Sequence, residues 1–190
     1  MFSVSGNGAI VDWVRVELRQ SSDPTVVVAA RHGLIQRDGD IVDMDGTSPL
    51  GFAVAPGPYR VAIRHRNHFG CMSASDVTLG QVSIALDLRN AATPVFGTNA
   101  RKVSGASAFL WAGNVLPDDA IKYSGPANDR DPILSAIGGS VPTASVTGYL
   151  AEDVNLDGAV KYVGPGNDRD PILVNIGGSI PTATISEQLP

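Results

Sequence analysis

Hydrophobic and polar residues alternate one by one through much of the first hundred positions. Val14, Val16 and Leu18 are interleaved with Arg15, Glu17 and Arg19, and Tyr59, Val61 and Ile63 with Arg60, Ala62 and Arg64. Val82, Ile84, Leu86 and Leu88 alternate in the same way with Gln81, Ser83 and Asp87. A period of two sends one set of side chains to a buried face and the other to water, so each stretch predicts a half-buried strand. Val26–Val28 adds a short β-branched run, and Phe52 and Val54 lead into the turn Pro56-Gly57-Pro58. Five or more strands with turn signals about every 8–12 residues predict an antiparallel β-sandwich over residues 1–98.

The pattern changes after the polar, turn-rich stretch Asn90–Asn99, which marks a boundary and opens a second region, 99–190. Residues 122–144 align without gaps to 161–183, a period of 39 residues with 18 of 23 positions identical. Similarity at that level is a tandem duplication. Each copy carries a short helical pattern. In the second, Asp170 is placed to cap it, Pro171 suits the first helical position and Gly177-Gly178 ends it. Ile172, Leu173 and Ile176 share one face and are expected to pack against Ile133, Leu134 and Ile137 of the first copy.

The chemistry lies just before the second helix. Asp153-Val154-Asn155-Leu156-Asp157-Gly158-Ala159-Val160 has the spacing of a calcium loop. Alternate side-chain oxygens at Asp153, Asn155 and Asp157 converge, Gly158 permits the sharp turn, the Ala159 carbonyl adds a ligand and Val160 anchors the loop. Hard oxygen donors favour Ca²⁺ over transition metals. Gly164 stands where a closing carboxylate is usual, so Asp168 is expected to close the site, with Asp170 as helix cap or second ligand. The first copy is altered: Asn114, Leu116 and Asp118 occupy the ligand positions, and Asp119 replaces the glycine, where it is expected to strain the turn. Asn128, Asp129 and Asp131 remain there, leaving two readings, a weak Ca²⁺ site or a structural relic. Asp38, Asp40, Asp43 and Asp45 crowd four carboxylates into eight residues, either as a solvated loop or around a further Ca²⁺.

The segments WAGN (111–114), IKYSG (121–125), DVNLDGAVKY (153–162), both NDRDPIL stretches and both IGGS-[VI]-PT stretches resemble the dockerin-like calcium repeats of large secreted Bacteroidota proteins. That resemblance implies a mainly β chain, an antiparallel β-sandwich followed by a small dockerin-like domain of two Ca²⁺-loop and short-helix repeats. It also implies a position at the C-terminus of a longer polypeptide, with the ending Glu187-Gln188-Leu189-Pro190 typical of the set. The stretch around Pro56–Ile63 is similar to the turn and strand of transthyretin-like and Cna-B-like sandwiches. Tyr162-Val163 and Tyr123-Ser124 stand where true dockerins show small hydroxylated residues, which argues against cohesin as the partner.

Composition narrows the function. The chain has 190 residues, 43% hydrophobic and 17% charged, enough for a packed core. Its net charge of −5, without a basic run, gives nucleic acid no footprint. No apolar stretch reaches the length of a membrane span. The acidic excess sits in residues 101–190, with 10 acidic and 6 basic residues. One cysteine, Cys71, excludes an intrachain disulfide and is expected in the core, as is His65, with His68 exposed. No nucleophile elbow, P-loop, zinc-protease or Rossmann motif is present, and the chain reads as a non-enzyme. The expectation is a non-catalytic, Ca²⁺-binding module of a secreted or cell-surface protein, serving attachment, assembly or secretion through a protein partner or neighbouring domains. The alternative is a carbohydrate-binding module using Trp13, Tyr59 and Phe69, or an accessory region of a secreted hydrolase.

Overall fold

The structure, a computed structural model, describes residues 4–190. The chain is mainly β, with antiparallel sheets, and divides into two compact units. The first comprises residues up to His65, Gly70–Phe109 and Gln188–Pro190; the second comprises Arg66–Phe69 and Leu110–Glu187. The division thus falls later than the 98/99 boundary expected from composition. The buried Arg101 guanidinium donates to the carbonyls of Leu88, Asn90 and Thr93, and Ala91 N and Ala108 N bond the Ala106 and Arg89 carbonyls, which ties residues 90–108 into the first unit.

In the first unit β1 (Ile10–Gln20) lies between β2 (Val27–Gln36) and β4 (Gly57–His65), with β3 (Ile41–Val42) outside β2; β5 (His68–Met72), of which Gly70–Met72 belong to this unit, lies outside β4. β6 (Val77–Leu79) pairs with Gly57–Tyr59 of β4, completing six antiparallel strands. Val14, Val16 and Leu18 are buried, with Ile63 and Val61 directly opposite Val16 and Leu18 on the same face. The alternation read for β1 holds as far as Val16, beyond which Glu17 and Arg19 are buried as well; in β4 the buried residue is Ala62, while Tyr59, Val61 and Ile63 are half-buried. β7 (Lys102–Ser104) and β8 (Ser107–Phe109) form a separate hairpin. Cys71 is buried as expected, and His65 is half-buried with its side chain turned inward, Nε2 meeting Asp12 Oδ2 at 3.0 Å. His68 is half-buried rather than exposed and takes Asn67 Oδ1 at 2.8 Å.

The alternating stretch 81–88 is not a strand. β6 takes the β4 edge in three residues, and the following segment joins no ladder. Val82 is left 81% exposed. Alternation predicts which face a strand would bury, but an edge to pair with must come from elsewhere in the fold.

The second unit is built from the duplication. Its elements are β9 (Ala120–Lys122), α1 (Arg130–Ala136), β10 (Ser145–Thr147), β11 (Ala159–Lys161), α2 (Arg169–Asn175) and β12 (Thr184–Ser186). β10 of the first copy pairs with β11 of the second, and β12 of the second pairs with β9 of the first. The helices exchange likewise: α1 packs on β11 and α2 on β9, and the two helices touch. Ile121, Ile133, Ile137, Val160, Ile172 and Ile176 form one buried cluster, with Leu134 and Leu173 packed against it. The expected shared core is present, and its strands are interlocked as well. Gly113 sets how closely this core packs, because a Cβ there would lie 2.9 Å from Ile172 Cγ1.

Candidate functional site

The second loop turns on two left-handed residues, Leu156 at φ 62° and Gly158 at φ 85°. That turn brings backbone N–H groups onto the side chains that precede them. Asp153 Oδ1 accepts from Asp157 N at 3.1 Å and Oδ2 from Gly158 N at 3.0 Å, while Asn155 Oδ1 accepts from Asp157 N at 2.8 Å. Asp157 Oδ1 accepts from Ala159 N at 2.9 Å, at the start of β11. The side chains of Asp153, Asn155 and Asp157 are thus each tied to the backbone of the one loop.

Cations of the chain itself flank it. Lys161 Nζ lies 3.6 Å from Asp157 Oδ2, and Arg66 Nη2 lies 3.9 Å from the buried Asp153 Oδ2. Arg66 also donates to the Leu150 carbonyl and stacks 3.9 Å over the Tyr149 ring. Nothing near Asp153 in sequence points to Arg66, which belongs to the turn after β4. Asn67, beside it, donates to the carbonyls of Ala151 and Asp153.

Asp168 is fully buried and engaged by the backbone. Its Oδ1 accepts from Val154 N at 2.7 Å and Asn155 N at 3.2 Å, and its Oδ2 from Lys161 N at 2.8 Å. It clamps the start of the loop to the strand that ends it. Asp129 does the same in the first copy, accepting from Leu116 N at 3.0 Å and Lys122 N at 2.8 Å. Burial pushes the Asp129 carboxyl up to about 6 against its N–H donors, with the Asp118 charge adding to the rise. Burial likewise raises Asp168, with Asp153 adding to it.

The rest of the duplicated Asn-Asp-Arg-Asp is structural too. Asn167 Oδ1, not Asp170, accepts from the helix, taking Asp170 N at 3.0 Å, while Asn167 Nδ2 donates to Asp170 Oδ2 at 2.7 Å. Asn128 and Asp131 repeat this reciprocal pair at 3.0 and 2.8 Å. It has the logic of a capping box with the roles filled by Asn and Asp. The expected cap at Asp170 is therefore corrected: Asp170 is the return partner, and its side chain is more than half exposed. Arg169 stacks on Tyr162 and Arg130 on Tyr123, with 5.1 and 5.2 Å to the ring centres.

The first loop follows another path. Asp119 is not left-handed, so the strain expected of it is absent; residues 116–119 bend, with Asp118 N donating to the Leu116 carbonyl at 2.7 Å. Asp118 Oδ1 still accepts from Ala120 N at 2.8 Å, as Asp157 does from Ala159. Asn114 Oδ1 is buried with no hydrogen-bond partner among the described residues.

The donor set of the second loop fits a hard cation. Asp153 and Asp157 offer carboxylate oxygens and Asn155 its Oδ1, while Asn155 Nδ2 donates to the Gly166 carbonyl; a cation there would lie beside the buried Asp153 carboxylate. The first loop, with Leu116 in place of a ligand and Asp129 held by the backbone, does not fit. Among the described residues no three His, Cys, Asp or Glu side chains form a metal-ready group. A Ca²⁺ in the second loop would accordingly rest on two carboxylates, the Asn155 amide and main-chain carbonyls such as that of Ala159.

The acidic run near residue 40 does not converge. Arg31 forks onto Asp43 at 2.7 and 3.0 Å, Arg89 meets Asp40 at 3.1 Å and Asp38 accepts from Asp40 N. Asp45 caps its own turn through Ser48 and Thr47, and those bonds hold its carboxyl down at about 2. Separate partners replace the shared cation. The three aromatics of the carbohydrate reading are also dispersed: Trp13 is exposed, Phe69 is in the core of the second unit, and Tyr59 lies on the other side of the sheet from Trp13. Among the described residues no helix is long and apolar enough to cross a membrane. No protein-family model, curated protein or solved structure matches the chain.

Proposed function

We propose that the chain is a non-catalytic, calcium-binding module of an extracellular or cell-surface protein, serving attachment, assembly or secretion. The observation that carries this reading is the second loop, where Asp153, Asn155 and Asp157 surround a turn made by Leu156 and Gly158. The dockerin-like character of the paired repeats, and a sandwich-type role for the preceding sheet, belong to the same proposal. Its non-catalytic part is supported by the two raised carboxyls, Asp129 and Asp168, which hold backbone N–H groups. The cation would supply a staple in a fold without disulfides: a ligand bound only by the folded state stabilises it by mass action.

The test is calorimetric titration of the whole chain with Ca²⁺, paired with melting curves in Ca²⁺ and in chelator. One binding event and a higher melting temperature in Ca²⁺, both lost in Asp157→Ala, are expected. Superimposable melting curves and no binding heat would overturn the reading.

A further inference from the structure

We propose that Lys161 is the resident cation of the second loop, that Ca²⁺ displaces it, and that this exchange sets the loop to fill only where calcium is abundant. The inference rests on the calcium reading of that loop and adds its regulation. Lys161 Nζ lies 3.6 Å from Asp157 Oδ2, and the two side chains are 35% and 40% exposed. Gly166 borders the same space: a Cβ there would lie 3.4 Å from Asp157 Oδ2, 3.8 Å from Lys161 Nζ and 4.0 Å from Asn155 Nδ2. The Gly166 carbonyl accepts from Asn155 Nδ2 at 2.8 Å. The ammonium therefore stands among a carboxylate, a side-chain amide and a main-chain carbonyl, the groups from which a hard cation draws its oxygens.

Asp153 and Asp157 belong to one short loop, and positive charge beside them offsets their repulsion. The chain supplies that charge twice, with unequal hold. Arg66 Nη2 lies 3.9 Å from Asp153 Oδ2 with its side chain only 11% exposed. Its guanidinium is fixed by the Leu150 carbonyl at 3.1 Å and by the Tyr149 ring at 3.9 Å. Lys161 is the more exposed of the two and sits at the end of a flexible four-carbon stem. An ion pair of that exposure is weak. The ammonium can leave for water while the guanidinium stays.

A dication at Asp157 repels an ammonium held by the same carboxylate, so binding Ca²⁺ includes ejecting Lys161. Affinity falls by the ion pair that is lost and by the repulsion of the Arg66 charge that remains. Both effects push the loop towards the range of extracellular modules, with dissociation constants of about 10⁻⁴–10⁻³ M. Lys122 is the counterpart of Lys161 in the first copy, where Leu116 replaces the Asn155 ligand and Ala127 replaces Gly166. It is an internal control of equal charge.

The test is calorimetric titration of the whole chain with Ca²⁺ at low ionic strength. Lys161→Met should bind roughly three- to tenfold more tightly than wild type. Lys161→Arg, which keeps the charge, should stay within about twofold of wild type, and Lys122→Met should leave the affinity unchanged. In NMR spectra of wild type the ε-methylene signals of Lys161 should shift as Ca²⁺ is added, and those of Lys122 should not. Should Lys161→Met not fold, Lys161→Gln removes the same charge. Equal or weaker binding by the folded neutral variant, equal tightening in Lys122→Met, or an unmoved Lys161 signal would refute the displacement and leave the calcium reading standing. No Ca²⁺ binding by any of these chains would overturn both.

Discussion

Ile185 lies directly opposite Ile121, so the last strand of the second repeat completes the first. The partner relationship, Val146 opposite Val160, completes the second repeat with the last strand of the first. Each copy lends a strand and receives one, and each helix packs on the other copy's strand. Neither copy can therefore bury its own core alone, and the two are expected to fold as a unit.

Ile172→Ala tests this. Ile172 is fully buried, and truncating such a side chain costs about 2–5 kcal/mol. Hydrogen exchange should show loss of protection over both 122–144 and 161–183. Loss confined to the second copy would show that the repeats behave as independent units.

Ala127 stands at φ 53° where its counterpart Gly166 stands at φ 68°. A Cβ in the left-handed region costs about 1–2 kcal/mol, offset in part by the greater unfolded freedom of glycine. Ala127→Gly should therefore stabilise the chain by roughly 1 kcal/mol in urea unfolding, and Gly166→Ala should destabilise it by a similar amount. The opposite signs on equivalent positions make the pair its own control.

Asp168→Asn keeps the size of the side chain but turns one acceptor oxygen into a donor. Whichever way the amide faces, it loses either the Lys161 N–H or the pair from Val154 and Asn155. A buried N–H left unpaired, with a charged acceptor lost, costs about 2–3 kcal/mol. The midpoint of urea unfolding in chelator should fall accordingly, and Asp129→Asn should do the same through Lys122. A loss seen only in Ca²⁺ would instead make Asp168 a ligand.

Calcium should distinguish the copies. Asp157→Ala should abolish the Ca²⁺-dependent rise in melting temperature, whereas Asp118→Ala should leave it. At about 100 times the dissociation constant that rise corresponds to roughly 2.7 kcal/mol. Loss of the effect in Asp118→Ala would place the cation in the first loop.

Burial pushes the Cys71 thiol up to about 11 from an ordinary value of 9.0. The folded state thus holds its proton longer than the unfolded chain does, so the contribution is complete below 9.0 and is lost as pH rises towards about 11. Wild type should lose stability across that window relative to Cys71→Ala. Native Cys71 should resist alkylation at pH 8 and react at once in denaturant.

What could be read in the sequence was whatever short-range pattern decides. The strands β1 and β4 follow from alternation, because the pleat repeats every two residues. The duplication, its shared isoleucine core and the turn of the second loop follow from residues close together in the chain. The roles inside Asn167-Asp168-Arg169-Asp170 were not legible. A run of acids before a helix reads equally as ligands or as caps, and the choice depends on which N–H groups the fold brings to them. Asp168 meets Val154, Asn155 and Lys161 only once the loop has closed. Arg66 beside Asp153, the exchange of β10 and β12, and the absence of a strand at 81–88 are likewise settled by long-range pairing. Periodicity fixes which side of an element faces inward; which partner it meets there is a property of the folded chain, since the groups that compete for each hydrogen bond and each charge come together only in three dimensions.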